Sequence, residues 1–417
     1  MANQQIKKPR GTLDYYGEEE KVLEGMRTLL FQEVSYYGCD AVELPMFEEN
    51  QLFHRSVGES SDIVQKETFD LASKGDKEYT LRPEFTASVS RMVIENKLYT
   101  SPDMPLRLCY FGPVFRYERP QTGRLRQFNQ FGVEFLDQKV DLDTTLDAFL
   151  LSLRSAEKVL GHPVSAKINF LGSFASRESY KKELYQYFAP KIASMCDDCK
   201  RRLETNPLRI LDCKVPEDQE IAKGSPRVTD FLDAEDQREF ENIKKALDSL
   251  GIHYEVDSEL VRGLDYYTGL VWELYDSVNL TLGAIGGGGK YASLMSQIGG
   301  PDFEGIGFSL GVERLILALT SERRKALILA DSLDCFIIDF RRDGKACYFA
   351  DKLRADGMKV SIASFSRAIG GALKMADRKG AKKTLILGED GSYQIKTMTD
   401  RQQSEVKEED VISSLEA

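Results

Sequence analysis

The chain has 417 residues and a formal net charge of −11, and its content of 42% hydrophobic and 29% charged residues is typical of a soluble globular protein. This length exceeds what one ordinary core holds and predicts two or three domains. No apolar run approaches the about 20 residues that span a bilayer, and the N-terminal sequence MANQQIKKPRG lacks the apolar part of a signal peptide. We therefore expect a cytoplasmic protein without a membrane segment.

The cysteines do not form a disulfide pattern, because there are seven of them and they are scattered along the chain. This usage agrees with a reducing compartment. Cys196 and Cys199 form a C-x-x-C pair, and Cys213 follows them. A zinc site needs about four ligands, and the three histidines of the chain lie elsewhere in the sequence. With no evident fourth ligand, we expect no metal ion bound by these cysteines.

The first predicted element is a helix over residues 18 to 37, since apolar side chains recur along it at helical spacing and Gly38 ends it. The run AVELP at 41 to 45 predicts a short strand ended by Pro45. A polar loop over residues 57 to 71 follows, and its glycine and paired serines are typical of a mobile segment over a site.

A second helix is predicted after Pro83, which biases Arg82 away from helical backbone. Glu84 and Thr86 stand near its first turn. A carboxylate and a hydroxyl there either cap the helix or bind the amino group of a ligand. The segment by itself leaves both interpretations open.

The stretch from Pro105 to Leu136 predicts two strands joined by a turn that contains proline and glycine. Between Arg107 and Arg126 it has five arginines and one acidic residue, Glu118, which gives a local charge of +4 in a chain of −11. A basic patch that stands against the overall charge indicates phosphate binding.

Strand alternation divides the second limb of this hairpin into two faces. The apolar face has Phe131, Val133 and Phe135, and the other face has Phe128, Gln130, Gly132 and Glu134. A ring, an amide and a carboxylate on one face suit a ligand with a ring and an ammonium group. The alternative is the wetted face that antiparallel sheets commonly have.

Residues 174 to 250 are helical and charged, and they predict a separate insertion. In the run VRGLDYYTGLVWELY that follows, Arg262 either neutralises charge that develops on a phosphoryl oxygen or pairs with Asp265 in a buried turn. The four glycines at 286 to 289 allow a ligand to approach the backbone closely. They match neither a P-loop nor a Rossmann fingerprint.

The run GIGFSLGVERLILAL predicts a strand from Gly305 into a helix whose first turn carries Arg314, where an arginine can lie over a purine or bind a terminal phosphate. From Asp334 onward, short apolar strands alternate with helices, which predicts a small α/β domain with a parallel core. Arg341 to Lys383 contains 12 basic and 4 acidic residues. This second basic segment either binds a polyanion or forms a solvated helix face.

Together these motifs resemble one family, histidyl-tRNA synthetase, of the class II aminoacyl-tRNA synthetases. The resemblance covers essentially the whole chain, and FRYERPQTGRLRQF and LVRGLDYYTG are specific to the histidine enzymes. It implies an α+β class II catalytic domain, an antiparallel sheet flanked by helices, over residues 1–325, with a helical insertion domain at 174–250. An α/β anticodon-binding domain would occupy 331–417. The helix ending in AVELP would be motif 1, which builds a homodimer in this class.

The resemblance also implies an activity: ATP-dependent activation of L-histidine by in-line attack on the α-phosphate, then transfer of the histidyl group to the 3′ end of tRNA-His. Mg²⁺ is expected with ATP. Arg262 and Arg116 would act at the α-phosphate as catalytic residues. The histidine pocket would contain Glu84, Thr86, Gln130, Glu134, Tyr267 and Tyr291. The ATP-binding residues would be Arg116, Glu118, Arg124, Phe128 and Arg314. Arg119 and Gln121 would contact the tRNA.

Five positions or ranges depart from the family pattern. Phe85 stands where LRPEGT has glycine, so it would narrow the amino-group side of the pocket. Asn129 replaces the histidine of FHQ and by alternation points to the core face. Lys290 and Ala292 replace the arginine and aspartate of GGRYDGL, so the roles that the family gives to that arginine and aspartate are in doubt here. Residues 370 to 372 are Gly-Gly-Ala where the family often has basic residues, which predicts weaker anticodon contact.

The alternative function is that of a synthetase-like regulatory subunit of ATP phosphoribosyltransferase in histidine biosynthesis, which would bind histidine but charge no tRNA. Arg119, Pro120 and Gln121 of the hairpin turn, together with Arg262, favour the enzyme. The basic tail domain favours it too, because such paralogues generally lack the anticodon domain.

Overall fold

The structure, a computed structural model, describes residues 5–57, 63–72, 75–261, 264–328, 332–363 and 368–416. The chain divides into two compact units, Met1–Leu327 and Ile328–Ala417. Among the described residues, no helix combines the length and the apolar character that crossing a bilayer requires.

The larger unit contains eleven helices and eleven strands in its described part. The helices are α1 (Glu18–Ser35), α2 (Asn50–Val57), α3 (Thr86–Glu95), α4 (Leu142–Leu160), α5 (Phe174–Phe188), α6 (Asp197–Thr205), α7 (Pro216–Ala222), α8 (Ala234–Ser249), α9 (Leu294–Gln297), α10 (Val312–Ala318) and α11 (Ser321–Leu327). The strands are β1 (Asp40–Ala41), β2 (Phe47–Glu49), β3 (Phe69–Asp70), β4 (Tyr79–Leu81), β5 (Leu106–Phe115), β6 (Gln127–Asp137), β7 (Val164–Phe170), β8 (Glu255–Val256), β9 (Tyr267–Asp276), β10 (Ala284–Tyr291) and β11 (Glu304–Gly311).

Eight of these strands form one sheet in the order β1-β5-β6-β11-β10-β9-β7-β8. Its pairings are antiparallel except at the two edges, where β1 runs parallel to β5 and β8 runs parallel to β7. A smaller antiparallel sheet has the order β2-β4-β3. The hairpin predicted over residues 105 to 136 is formed by β5 and β6, the second and third strands of the large sheet.

Helices α1 and α4 cover one face of the large sheet. Phe31 of α1 meets Phe131 of β6 edge-on, with ring centroids 6.2 Å apart. Phe149 of α4 packs in the same way against Trp272 of β9 at 5.5 Å. The Trp272 indole N–H donates to Ser152 Oγ at 3.0 Å, so the one polar atom of this large side chain is satisfied in the core. The apolar face of β6 is therefore core, as alternation predicts.

The strand predicted over AVELP is shorter than expected. β1 ends at Ala41, and Val42 N–H still donates to Cys109 O at 2.9 Å. Beyond that point the backbone carbonyls accept hydrogen bonds from a side chain. Arg82 Nη1 donates to the carbonyls of Leu44 at 2.7 Å and of Pro45 at 3.1 Å. Carbonyls bound to a buried guanidinium are not available to a strand ladder, which is why the strand stops early.

Helices α5 to α8 lie in the chain between β7 and β8, and α5 to α7 build a small core of their own with the short segments that connect them. The buried side chains of this core are Tyr180, Leu184, Phe188, Met195, Cys199, Leu203, Leu208, Ile210, Cys213, Ala222 and Val228. Aspartate caps α8, where Asp233 Oδ1 accepts from the N–H groups of Glu235 and Asp236.

The smaller unit has a five-stranded sheet flanked by helices. Its strands are β12 (Cys335–Asp339), β13 (Val360–Ile362), β14 (Lys383–Leu387), β15 (Tyr393–Thr397) and β16 (Gln403–Val406), and its helices are α12 (Lys345–Ala355), α13 (Ile369–Arg378) and α14 (Val411–Glu416). The order is β13-β12-β14-β15-β16, with the first three strands parallel and the last two antiparallel. The parallel core agrees with the sequence prediction, to which the structure adds the antiparallel edge.

Candidate active site

A cavity of 460 Å³ lies against the face of the large sheet that α1 and α4 leave uncovered. Residues of β5, β6, β9, β10 and β11 line it, and the segment joining β5 to β6 borders it. Of the sequence-predicted site residues, those lining this cavity are Glu84, Thr86, Arg116, Glu118, Arg124, Phe128, Gln130, Glu134, Tyr267 and Arg314. The strand face that alternation singled out is thus part of a single cavity.

Glu134 is the centre of a buried hydrogen-bond network. Its side chain is 1% exposed. Oε1 accepts from Thr86 Oγ1 at 2.7 Å and from the Tyr110 hydroxyl at 3.1 Å, and Oε2 accepts from the Tyr291 hydroxyl at 2.8 Å. Three hydroxyls from three different elements therefore hold one carboxylate in a fixed orientation.

Burial raises the pKa of Glu134 to about 8, although the hydrogen bonds from Thr86 and Tyr291 oppose the shift and the nearby Glu84 adds to it. Burial and the Glu134 charge in turn raise the pKa of Tyr110 and of Tyr291 well above the ordinary value. A carboxylate that is held in this way gains stability when a cation binds beside it.

Glu84 caps helix α3. Its Oε2 accepts from Thr86 N–H at 2.6 Å and its Oε1 accepts from Ala87 N–H at 2.9 Å, and the side chain is 3% exposed. Burial raises the pKa of Glu84, and the two backbone hydrogen bonds oppose this shift. The capping interpretation is therefore realised in the structure, and the capping carboxylate also lines the cavity. Thr86 uses its hydroxyl to orient Glu134.

Aromatic side chains form further walls of the cavity. Phe85 stacks on Tyr110 with ring centroids 4.2 Å apart and an interplanar angle of 10°. Phe128 lies under the Arg116 guanidinium, whose carbon is 5.5 Å from the ring centroid. Phe85, the departure from LRPEGT, thus lines the cavity as part of an aromatic stack.

Besides Tyr110, three tyrosines near the cavity have different roles. Tyr267 lines it. Tyr291 is fully buried and does not line the cavity, but its hydroxyl donates a hydrogen bond to Glu134. It therefore contributes to the predicted pocket by orienting that carboxylate. Tyr266, which the sequence analysis did not select, also lines the cavity, and its buried hydroxyl has no hydrogen-bond partner among the described residues. A buried hydroxyl without a partner is a binding group for a polar ligand.

Basic side chains lie at the side of the cavity near the β5–β6 turn. Arg314 Nε donates to Gly123 O at 3.0 Å, and its Nη1 also donates to Ala284 O. Burial and the adjacent charge of Arg124 lower the pKa of Arg314. Arg116 Nε donates to Pro83 O at 3.0 Å, and Arg124 lies 3.5 Å from Glu118. This clustering of cations favours a polyanionic ligand.

Besides Tyr291, two predicted residues in the described part of the chain do not line the cavity. Arg119 and Gln121 are exposed on the β5–β6 turn, which Gln121 and Arg124 close with two backbone hydrogen bonds. Arg262, predicted to be catalytic, lies outside the described residues, as do residues 58–62 of the predicted loop. The described part of that loop includes Glu67, which lines the cavity.

Two of the residues that depart from the family pattern, Asn129 and Lys290, do not line the cavity. The Asn129 backbone N–H and Nδ2 both donate to the Glu313 carboxylate, with distances of 2.9 to 3.0 Å, and Tyr15 donates to the same group at 2.8 Å. Lys290 Nζ lies 3.2 Å from Glu304 and 3.5 Å from Glu239. Both side chains make structural contacts in this protein.

Four residues of the insertion also line the cavity: Arg202, Arg209, Asp212 and Lys214. The sequence analysis missed them because they lie more than fifty positions from each of the sheet strands in the site. Asn206 Nδ2 joins this segment to the chain next to Arg262, since it donates to Asp265 Oδ1 at 2.8 Å.

The insertion also brings its three cysteines together with a carboxylate. The sulfur atoms of Cys196, Cys199 and Cys213 and a carboxylate oxygen of Asp218 all lie within 4.8 Å of one another. The prediction that these cysteines bind no metal relied on the absence of a fourth ligand. The structure places a fourth potential ligand atom, the carboxylate oxygen of Asp218, beside the three sulfurs, and the absence of a metal stays a prediction.

Comparison with known proteins identifies two family models in the chain. The model for histidyl-tRNA synthetase matches residues 11–315, and the model for an anticodon binding domain matches residues 334–417. A histidine–tRNA ligase of Staphylococcus aureus strain JH9 is 42% identical over 407 residues, which cover 94% of this chain and 96% of that protein.

Solved structures give the same picture of the fold. The crystal structure of apo S. aureus histidyl-tRNA synthetase superposes with a TM-score of 0.78 and 33% identity, over 99% of this chain and 100% of that one. A structure described as an ATP phosphoribosyltransferase regulatory subunit/histidyl-tRNA synthetase, from Bacillus halodurans C, superposes with a TM-score of 0.62 at 22% identity over 88% of this chain and 94% of that one. At that identity, the second likeness shows the fold alone.

Proposed function

Because the chain belongs to the histidyl-tRNA synthetase family, we propose that it is a histidine–tRNA ligase, which activates L-histidine with ATP and transfers the histidyl group to the 3′ end of tRNA-His. The observation that carries this proposal is the arrangement of one cavity. A fixed, buried carboxylate, Glu134, lies at one side, and Arg116, Arg124 and Arg314 lie at the other.

The Glu134 side of the cavity would bind histidine. Its carboxylate, with Glu84 beside it, suits a cationic ammonium group, while Gln130 and the Tyr266 hydroxyl offer hydrogen bonds to a polar ring. Tyr267 would complete this wall. Thr86 and Tyr291 would act through Glu134, since each donates a hydrogen bond to it.

The arginine side of the cavity would bind ATP. Phe128, with Arg116 above it, would stack on the adenine, and Glu118 would contact its edge. Arg314 and Arg124 would bind the phosphates. Arg116 and Arg262 would neutralise the charge that develops at the α-phosphate when the histidine carboxylate attacks it, so that the histidyl–AMP bond forms and pyrophosphate leaves.

Mg²⁺ would accompany ATP and neutralise part of its phosphate charge. The residues present fit this ion, because the carboxylate of Glu273 lines the cavity and Mg²⁺ takes oxygen ligands together with phosphates. The arginines of the cavity would orient the nucleotide both with and without Mg²⁺.

Arg119 and Gln121 of the exposed hairpin turn would contact the tRNA. Residues 1–325 would form the catalytic domain, and residues 174–250 within it would form an insertion domain that binds the acceptor arm. Residues 331–417 would form the anticodon-binding domain. A homodimer is proposed through motif 1, where the large apolar side chains of Tyr36, Met46 and Phe47 are all more than half exposed. We place this protein in the cytoplasm, where its tRNA would be.

The regulatory-subunit alternative is less well supported. The family model for an anticodon binding domain extends over residues 334–417, and a protein that charges no tRNA has no use for such a domain. The likeness to the structure that bears both names is a likeness of fold.

The test is histidine-dependent exchange of pyrophosphate into ATP by the purified protein. We expect exchange with the wild-type chain and its loss in Arg262→Ala. Arg238→Ala, an exposed arginine of α8, is the matched control and should retain wild-type exchange. Wild-type protein that binds histidine but catalyses no exchange would favour the regulatory subunit.

A further inference from the structure

We propose that Cys196, Cys199, Cys213 and Asp218 form a structural zinc site in the insertion. The four side chains offer one ligand atom each, and these atoms lie within 4.8 Å of one another. Three thiolates and one carboxylate oxygen are a ligand set that zinc accepts in tetrahedral structural sites. This site is separate from the proposed reaction and does not depend on it.

The distances between ligand atoms suit one small tetrahedral ion. Zinc bonded to sulfur at about 2.3 Å places two sulfurs of a tetrahedron about 3.8 Å apart. Cys196 Sγ and Cys213 Sγ are 3.8 Å apart, and Cys213 Sγ is 3.3 Å from Asp218 Oδ2. A disulfide bond of about 2.0 Å would draw one pair of sulfurs together and leave the third out. All four potential ligand atoms instead lie within 4.8 Å of one another.

The burial of the Asp218 carboxylate favours a bound cation at this cluster. Asp218 is 1% exposed, and it forms no ion pair with the residues that the structure describes. A buried carboxylate ordinarily pairs with a cation or coordinates a metal. Its hydrogen bonds come from the cysteines themselves, from Cys196 N–H at 3.1 Å and from Cys213 Sγ.

The backbone around the cluster is arranged as in a metal-binding loop. Cys196 caps the N-terminus of α6, and its sulfur accepts from Cys199 N–H at 3.5 Å. Cys213 Sγ accepts from Val215 N–H at 3.5 Å. N–H groups aimed at sulfur stabilise thiolates and orient them, which is the usual arrangement around ligands of a bound metal. When Zn²⁺ binds, the thiol protons pass to solvent and no electrons are transferred.

A bound zinc ion would stabilise the conformation of a segment that lines part of the active-site cavity. The ligands enclose residues 196 to 218, and Arg202, Arg209 and Lys214 within that stretch line the cavity. The core of the insertion consists of eleven buried side chains, a size at which small folds commonly rely on a metal or a disulfide. Zinc would therefore hold these cationic side chains at the cavity edge.

Metal analysis of the full-length protein, purified without chelator, tests the proposal. We expect one zinc ion per chain, with its loss in Cys199→Ser and in Cys213→Ser, and weaker retention against a chelator in Asp218→Asn. Cys347→Ser is the matched control, because Cys347 is exposed in the other unit and should leave the zinc content unchanged.

A second measurement covers variants that fail to fold. Wild-type protein is stripped with chelator under reducing conditions and refilled with Co²⁺, and we expect thiolate-to-cobalt charge-transfer absorption of tetrahedral type. Failure to take up zinc or cobalt, a disulfide between these cysteines in the native protein, or full zinc content in Cys213→Ser would each overturn the proposal.

Discussion

Gly307 in β11 lies directly opposite Glu134 in β6, and a Cβ atom at position 307 would be 1.9 Å from Glu134 Oε2. The absence of a side chain at Gly307 therefore makes room for the buried carboxylate. A similar relationship holds at Gly132, where a Cβ atom would be 2.4 Å from the Tyr110 hydroxyl that donates to Glu134. Glycines in β6 and in the neighbouring strand β11 thus shape the site as much as its polar residues do.

Gly307→Ala should displace the Glu134 carboxylate and weaken its hydrogen bonds to Thr86 and Tyr291. We expect a loss of about 1–3 kcal/mol in the free energy of unfolding, as for other overpacked sites. The KM for histidine in pyrophosphate exchange should rise about tenfold or more, since misplacing a charged binding group costs about 1.5–3 kcal/mol. Gly370→Ala is the control, because no atom lies within 4 Å of a Cβ there. An unchanged histidine KM in Gly307→Ala would contradict the steric argument.

The raised pKa of Glu134 predicts how stability changes with pH in the absence of histidine. The pKa is about 8 in the folded chain against 4.5 for an unperturbed glutamate, so between these values the folded protein holds a proton that the unfolded chain has lost. This contribution is complete below pH 4.5 and is lost as the pH rises through 8. The free energy of unfolding should therefore decrease with pH in this window.

Thermal unfolding of wild type and Glu134→Gln, measured from about pH 5 to about pH 9, checks this linkage. Glutamine does not titrate, so the wild-type midpoint should fall more steeply than that of the variant. Saturating histidine should flatten the wild-type curve, because the ligand's ammonium group would favour the ionised carboxylate. Parallel curves without histidine would show that Glu134 does not titrate in this range.

Two tyrosine-to-phenylalanine changes should differ in their effect on the free energy of unfolding. Tyr291→Phe removes a hydrogen bond to Glu134 and should destabilise the protein by about 1–2 kcal/mol. Tyr266→Phe removes a buried hydroxyl that has no partner in the described residues, so stability should be unchanged or slightly higher. The KM for histidine should rise in both variants. Urea unfolding separates the two cases, and a destabilised Tyr266→Phe would mean that its hydroxyl is already satisfied without ligand.

Arg314→Ala should weaken ATP binding more than histidine binding. Arg314 connects Gly123 of the hairpin turn to Ala284 of β10, on the arginine side of the cavity. We expect the KM for ATP to rise by about tenfold or more with little change for histidine, as the loss of a charge-assisted contact predicts. Arg314→Lys should recover part of the effect, because lysine keeps the charge but not the planar donor set.

Steady-state exchange at varied ATP and varied histidine measures both constants. The matched control is Arg154→Ala, which removes an exposed arginine paired with Glu157 on α4. Equal increases in the KM for ATP and the KM for histidine would contradict a specific role of Arg314 in ATP binding.

Much of the site was predictable because its information is local. A strand alternates its side chains with a period of two, so the order of residues in β6 determined that Phe128, Gln130 and Glu134 share a face. Glycine and proline marked the hairpin turn, and the family motifs identified the class. The early end of the strand at Ala41 was not predictable, because it depends on Arg82, which is far away in sequence.

The sequence by itself therefore determined the family, the order of the elements and the polar face of β6. The tertiary structure alone decided which groups complete the site. Thr86 and Tyr291 are 48 and 157 positions from Glu134, Gly307 faces it through strand register, and Asp218 joins three cysteines across a turn between helices. Periodicity describes which side chains share a face of one element. These contacts depend instead on how separate elements pack, and no local sequence pattern determines which distant residues come together.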